Sequence, residues 1–283
     1  MKQGTILKKK ALSNNSFEFL VYAPDIALSA KAGQFVLLIV DEFGERIPLT
    51  IADSDPKNKT ITLVMIVVGT STYKLSKLKE SDTLYALVGP LGNPSKLIPS
   101  KSVVFIGGGL GIAPIYPIAK FYRENLKETK ITTILGAKNE SLLFWQDKLS
   151  TVSDRLLIAT DDGSCGVKGF VTTVLKDLLE KEAIDLVYAI GPLPMMKACS
   201  NTTLPFKVST IVSLNSLMVD GTGMCGGCRV IIDGKVKFTC VDGPEFDGHL
   251  VDWNRAFLRG RIFNQEERCS YDIIVDKALN KNN

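Results

Sequence analysis

The sequence predicts an antiparallel β barrel, then a doubly wound parallel α/β sheet, then a small C-terminal loop unit built to hold a [2Fe–2S] cluster. Three observations predict it. Short alternating apolar runs punctuated by turn residues fill residues 1–98. Strand and helix patterns alternate over 99–206. The run Asp220-Gly221-Thr222-Gly223-Met224-Cys225-Gly226-Gly227-Cys228, with Cys240 beyond it, marks a third unit over 207–260 and leaves 261–283 as a C-terminal tail.

In the first stretch Phe17, Phe19 and Val21 alternate with polar or smaller residues, and Ile61, Leu63, Met65 and Val67 do the same. This is the period of a strand with one buried face. A second apolar set, Val64, Ile66 and Val68, calls for burial of the other face as well. Further apolar runs lie at Phe35–Val40 and Leu84–Val88, and Gly, Pro, Asp and Asn separate them at Gly33, Asp53–Asn58 and Gly92-Asn93-Pro94. Several short strands at this spacing suggest a small barrel. Two segments within it suit a phosphate-bearing ligand. Arg46 precedes Ile47-Pro48-Leu49-Thr50 on a strand, and a guanidinium can grip a pyrophosphate at two points. Gly69-Thr70-Ser71-Thr72 opens a short helix through Leu78, where N–H groups and hydroxyls face an anion, although hydroxyls at a helix start also serve as plain caps.

In the second stretch the buried strand Val103–Ile106 runs into Gly107-Gly108-Gly109-Leu110-Gly111-Ile112-Ala113-Pro114 and then helical periodicity through Tyr122. Ile131–Leu135, Leu156–Thr160 and Leu186–Ile190 supply further strands, with helical stretches such as Phe170–Glu182 between them. A glycine turn between strand and helix is where an open α/β sheet binds a nucleotide. The spacing is not the strict G-x-G-x-x-G, since Ile112 and Pro114 interrupt it, but a second Gly-Pro turn, Gly191-Pro192, ends a later strand. Two such turns at one sheet edge would wall a crevice. Met195 and Met196 follow that turn and fit either the crevice or the helix core. Lys138 and Glu140, after the second strand, offer both signs of charge to a ribose, so the choice between NAD and NADP stays open.

The third unit carries the most specific signal. Asp220, Cys225, Cys228 and Cys240 are spaced x4, x2 and x11. That is the plant-type two-iron spacing with a carboxylate in the first place. The loop's glycines allow the tight turns that bring backbone N–H groups near sulfur. A structural zinc would prefer two Cys-x2-Cys knuckles or a Cys pair with a His pair; this chain has one knuckle and one His, at position 249. Asp220 serves either as a ligand or as a cap of the loop. Cys165, Cys199 and Cys269 are scattered and read as ordinary thiols, and His249 reads as structural.

Composition narrows the setting. The chain of 283 residues is 45% hydrophobic with a net charge of +4, which suits a globular protein and gives no reason to expect nucleic acid. Lys8-Lys9-Lys10 reads as a solvated basic run, and the last residues are expected to fray. Met1–Asn15 lacks the apolar stretch of a signal peptide, and the run Leu63–Val68 is too short to cross a bilayer, so the expectation is a reducing, cytoplasmic setting away from the membrane.

The order of barrel, nucleotide domain and terminal cluster loop resembles the ferredoxin–NADP reductase superfamily, and more closely its branch containing dihydroorotate dehydrogenase electron-transfer subunits and sulfide dehydrogenase beta subunits. The cluster loop, together with Cys240-Val241-Asp242-Gly243-Pro244-Glu245-Phe246-Asp247-Gly248-His249, is similar to the small subunits of NADH-dependent reduced ferredoxin:NADP oxidoreductases. The resemblance implies FAD on Arg46, Pro48, Leu49 and Thr50, with Gly69, Thr70, Ser71 and Thr72 on its phosphates. It implies NAD(H) or NADP(H) on Gly108, Gly109, Gly111, Ala113, Gly191, Pro192 and Met195, with Asp161 and Asp162 nearby. It implies metal ligation by Asp220, Cys225, Cys228 and Cys240. It also implies a larger FAD/[4Fe–4S] partner subunit, with ferredoxin reached through that subunit. No acid–base dyad stands out, and hydride transfer needs none.

Overall fold

The computed structural model describes residues 1–280; the final residues expected to fray, 281–283, lie outside the described part. Strands β1 (Thr5–Ala11), β2 (Ser16–Tyr22), β3 (Phe35–Ile39), β4 (Ile47–Asp55), β5 (Thr60–Ile66) and β6 (Ala86–Leu91) form an antiparallel sheet in the order β1-β2-β5-β4-β3-β6. Helix α1 (Pro24–Ser29) follows β2, and α2 (Thr70–Lys77) follows β5. The sheet closes on itself because β1 also pairs with the segment leading into β6: the Ile6 N–H donates to the Asp82 carbonyl at 2.8 Å and the Leu84 N–H to the Gly4 carbonyl at 3.0 Å. Closure removes the free edges that an open sheet would expose.

The two apolar sets on β5 now separate. Ile61, Leu63 and Met65 fill the barrel interior with Ile6, Phe19, Val21 and Leu38. Val64, on the opposite face, packs with Ala52 of β4 into the core of the second domain. Each fully buried aliphatic side chain of this kind contributes about 1.5–3 kcal/mol. The expected basic run is not uniformly solvated. Lys9 lies partly buried, and its Nζ donates to the Leu78 carbonyl at 2.9 Å and to the Ser76 carbonyl, closing the carboxyl end of α2. A cation there suits the helix dipole.

The second domain has β7 (Ser102–Gly108), β8 (Lys130–Ala137), β9 (Arg155–Thr160), β10 (Val167–Lys168), β11 (Leu186–Ile190) and β12 (Ser209–Ser213), all parallel. Helix α3 (Ile112–Asn125) covers one face, while α5 (Val171–Lys181) and α6 (Leu193–Thr203) cover the other; a short α4 (Gln146–Ser150) precedes β9. Every residue of β7 and β11 is buried, as strands covered on both faces must be. The C-terminal segment adds the hairpin β13 (Arg229–Ile232) and β14 (Lys235–Phe238), then β15 (Glu245–Asp247), α7 (Trp253–Arg259) and α8 (Asn264–Asn280). The sheet order is β10-β9-β8-β7-β11-β12-β15, with β15 antiparallel to β12. So β12 and β15, from the stretch read as the third unit, extend the nucleotide sheet, which is parallel except for that edge. Residues expected as a tail carry α8, which lies on α2 through an edge-to-face pair of Tyr73 and Tyr271 with centroids 5.9 Å apart. No helix among the described residues is long and apolar enough to cross a membrane.

Candidate redox sites

The chain runs from β7 to β8 and β9 on one side, then crosses to β11 on the other. The sheet therefore reverses direction between β7 and β11, and an open α/β sheet binds its ligand at such a point, outside the carboxyl ends of the strands. Gly108, Gly109, Gly111 and Ala113 stand at the end of β7, and Gly191 and Pro192 at the end of β11; both sets line one cleft of about 390 Å³. Gly111 is there for space. A Cβ on it would strike the carbonyl group of Ile190, so only glycine lets the α3 turn seat against β11. Met195 packs over both turns, with its sulfur where a Gly108 side chain would start and its methyl group beside Gly191. Met196, by contrast, is buried in the core. Asp161 and Asp162 stand elsewhere, at the end of β9, two strands from the glycine turn. The Asp162 carboxylate accepts from the Ser164 N–H at 2.9 Å and its hydroxyl at 2.7 Å, which holds it below the usual carboxylate range.

The same cleft has a barrel wall. Pro48, Leu49 and Thr50 of β4 line it with Phe35, Val64 and Ile66. Beside it lies a second cleft of about 810 Å³, lined by Arg46, Gly69, Thr70, Ser71 and Thr72, and the two share Met218. The Thr72 hydroxyl accepts from the Gly69 N–H at 3.1 Å, fixing the first turn of α2, whose Thr70, Ser71 and Thr72 line the cleft. Ser71 donates to the Glu45 carboxylate at 3.3 Å, and the Arg46 guanidinium reaches the Val219 carbonyl at 3.4 Å. Helix α8 covers the far side, where Ser270 meets the Thr70 hydroxyl at 3.1 Å. Sequence reasoning missed Phe35, Met218, Asn215, Pro244 and the α8 residues as lining. Met218, just ahead of Asp220, and Pro244, within the run from Cys240 to His249, sat in or beside a motif.

In the cluster loop Cys228 and Cys240 are buried with their sulfurs 3.2 Å apart. Burial, then the neighbouring Cys228 thiol, raises the Cys240 pKa well above the usual thiol range. Cys225 is exposed, and its sulfur accepts from the Gly227 N–H at 3.4 Å. The Asp220 carboxylate accepts from the Thr222 N–H at 2.8 Å and the Cys225 N–H at 2.6 Å, which lowers its pKa. These bonds make Asp220 the cap of the loop. A carboxylate has acceptor capacity beyond two bonds, so capping leaves room for a metal. Gly221 adopts φ +74°, and a Cβ there would meet the Leu37 side chain, so the loop presses directly on the barrel. Among the described residues no three Cys, His, Asp or Glu side chains converge on a single-ion site. A two-iron cluster asks for two protein ligands per iron, and the loop offers its donors in pairs: Cys228 with Cys240, and Asp220 linked to Cys225. The donor set, the thiol pair and the N–H beside sulfur fit a two-iron cluster. His249 lies apart from the four loop donors, its Nε2 2.9 Å from the Thr203 hydroxyl.

One packed group joins these sites. Phe35, Leu37 and Met218 form a single apolar cluster with Cys228 and Cys240. Phe35 and Met218 also line the cleft between barrel and nucleotide sheet.

Comparison with known proteins agrees with this division. Residues 105–201 match the oxidoreductase NAD-binding domain, and residues 215–252 match the iron–sulfur cluster binding domain of dihydroorotate dehydrogenase B. A dihydroorotate dehydrogenase B (NAD(+)) electron transfer subunit homolog of Thermotoga maritima is 45% identical over 96% of this chain and 96% of its own length. A solved structure of an NADH-dependent reduced ferredoxin-NADP oxidoreductase, described in work on flavin-based electron bifurcation, superposes with a TM-score of 0.90 at 44% identity, covering 97% of this chain and 99% of that one. A ferredoxin NADP+ reductase from Neisseria gonorrhoeae shares the fold at a TM-score of 0.59 and 20% identity, over 73% of this chain and 91% of its own. The chain belongs to the family of dihydroorotate dehydrogenase B electron transfer subunits, oxidoreductase chains in which an NAD-binding domain precedes an iron–sulfur domain.

Proposed function

We propose that this chain passes electrons between NAD(H) and a larger FAD/[4Fe–4S] partner subunit by way of its own FAD and [2Fe–2S] cluster, with ferredoxin reached through that partner. The observation that carries the reading is the apolar cluster of Phe35, Leu37, Met218, Cys228 and Cys240. It connects the wall of the hydride cleft to the metal-binding thiols through side chains in contact, and electron transfer weakens steeply with distance. A flavin held there would supply the conversion between the two electrons of one hydride and the single electrons that an iron–sulfur cluster takes. The chain's residues supply the rest. Gly108–Gly111 and Gly191-Pro192 bring a nicotinamide dinucleotide to the end of the sheet, with Met195 set over the turns. Pro48, Leu49, Thr50 and Phe35 wall the space for the flavin ring, and Arg46 with Gly69–Thr72 holds its phosphates. Asp220, Cys225, Cys228 and Cys240 hold the irons, and Leu37 and Met218 keep water out between the sites.

The assignment of the partner rests on likeness. The solved relative is an NADH-dependent reduced ferredoxin-NADP oxidoreductase at 44% identity over 97% of this chain, and the run from Asp220 to Cys228 resembles that kind of subunit. The test is an anaerobic absorption spectrum of the purified chain with metal analysis. Flavin bands over a broad iron–sulfur envelope, with two irons and no zinc, are expected. A chain that stays colourless after reconstitution with iron, sulfide and FAD, or that holds one zinc, overturns the reading.

A further inference from the structure

The segment that follows Cys240 is stitched to the linker between barrel and nucleotide sheet. The Asn93 N–H donates to the Gly243 carbonyl at 2.7 Å, and its side-chain amide donates to the Val241 carbonyl at 3.0 Å. Ser95, itself buried, donates its hydroxyl to the Glu245 carboxylate. The linker is tied in turn to the barrel, since the Ser95 N–H donates to the Ala32 carbonyl at 2.8 Å and the Gln34 amide to the Gly92 carbonyl at 2.8 Å. Beyond Gly243, the Leu214 N–H donates to Pro244 at 2.9 Å, and Pro244 lines the cleft between barrel and sheet. Residues 241–245 therefore run from a metal-ligating thiol to the cleft wall, held along the way by residues 93–95.

Glu245 is the unusual member. The residue is half-buried, but its carboxyl end is set deep, and the Ser95 hydroxyl is its hydrogen-bond donor. The site is close-fitting, because a Cβ on Gly33 of the barrel would run into both the Ser95 hydroxyl and the Glu245 carboxylate. A buried carboxyl costs more than an apolar residue of the same shape unless its hydrogen bonds are made. None of the chemistry above uses it.

Resting on the relay proposed above, we infer that this seam fixes the cluster loop against the flavin cleft, and that Glu245 and Ser95 are positioning residues for electron transfer between flavin and cluster. They touch neither the nicotinamide crevice nor the metal ligands, so their loss acts on one step. The full-length chain carrying FAD and iron–sulfur cluster is mixed anaerobically with NADH, with flavin bleaching and cluster reduction followed separately, and electron paramagnetic resonance reads the reduced cluster. In Glu245→Ala and in Ser95→Ala, flavin bleaching keeps the parent rate. Cluster reduction slows roughly tenfold, the scale of effect a small misplacement brings, and the resonance line shape changes. Glu245→Gln restores the parent rate, because its amide oxygen still accepts from Ser95. Should Glu245→Ala not fold, Ser95→Ala and Asn93→Ala carry the same test. Cluster reduction at the parent rate in the alanine variants, equal slowing of both steps, or a glutamine variant no better than alanine overturns the inference. A parent chain that bleaches its flavin and leaves its cluster oxidised overturns the relay instead.

Discussion

Two glycines of the same turn differ in what surrounds them. A side chain at Gly111 would strike backbone, the Ile190 carbonyl, which cannot move without shifting β11. One at Gly108 would meet the end of Met195, a flexible thioether that can swing aside. Gly111→Ala is therefore expected to destabilise the fold by about 1–3 kcal/mol in urea unfolding. Gly108→Ala leaves the melting temperature near the parent's but drives Met195 toward the crevice and raises the KM for NADH. Equal stability losses in the two variants would contradict this picture. At this scale the sequence was informative where a motif carried the residue. The glycine turns, Pro48–Thr50 and the cysteine spacing all fall in clefts or loops as read. Asp161 and Asp162 did not join the crevice, because their proximity depends on strand order, which local pattern does not encode.

Among the elements, local periodicity identified those whose burial is local. The alternation in β5, the apolar run of β11 and the helix after Gly111 follow from side-chain pattern alone. Helix α2 was legible from Gly69–Thr72 through Leu78, but the contact that closes its far end was not: Lys9 lies sixty and more residues earlier. Two elements were hidden for the same reason. Strand β15 has three residues, too few for a period, and exists because β12 offers it an edge. Helix α8 is mostly polar, and its seat is supplied by Tyr73 and Thr70 of α2, about two hundred residues away in sequence.

For the molecule as a whole, the seam at Glu245 links stability to pH. Burial pushes its carboxyl from 4.5 up to about 7, and the groups facing it are the Tyr122 and Tyr188 hydroxyls, both donating to the Lys96 carbonyl. The folded chain thus keeps a proton that the unfolded chain has released. The stabilising contribution is whole below the unfolded value and is lost as pH rises through the folded one. Glu245 is expected to cost the fold up to about 3 kcal/mol on going from acid to above neutrality. Denaturant unfolding of the parent and of Glu245→Gln checks it: the parent loses more stability than the variant over that range, and parallel curves would contradict the assignment.

The three-part plan of barrel, nucleotide sheet and cluster loop was readable because each part has its own sequence period or spacing. How they interlock was not, since the contacts of Phe35 with Met218 and of Ser95 with Glu245 join residues far apart in the chain. That interlocking is what makes one relay of three sites. Its most direct test is to add NADH anaerobically to the isolated, fully loaded chain and record electron paramagnetic resonance. Flavin bleaching accompanied by the signal of a reduced two-iron cluster is the predicted result. Bleaching with no such signal, or a cluster reduced only when a partner protein is present, would contradict it.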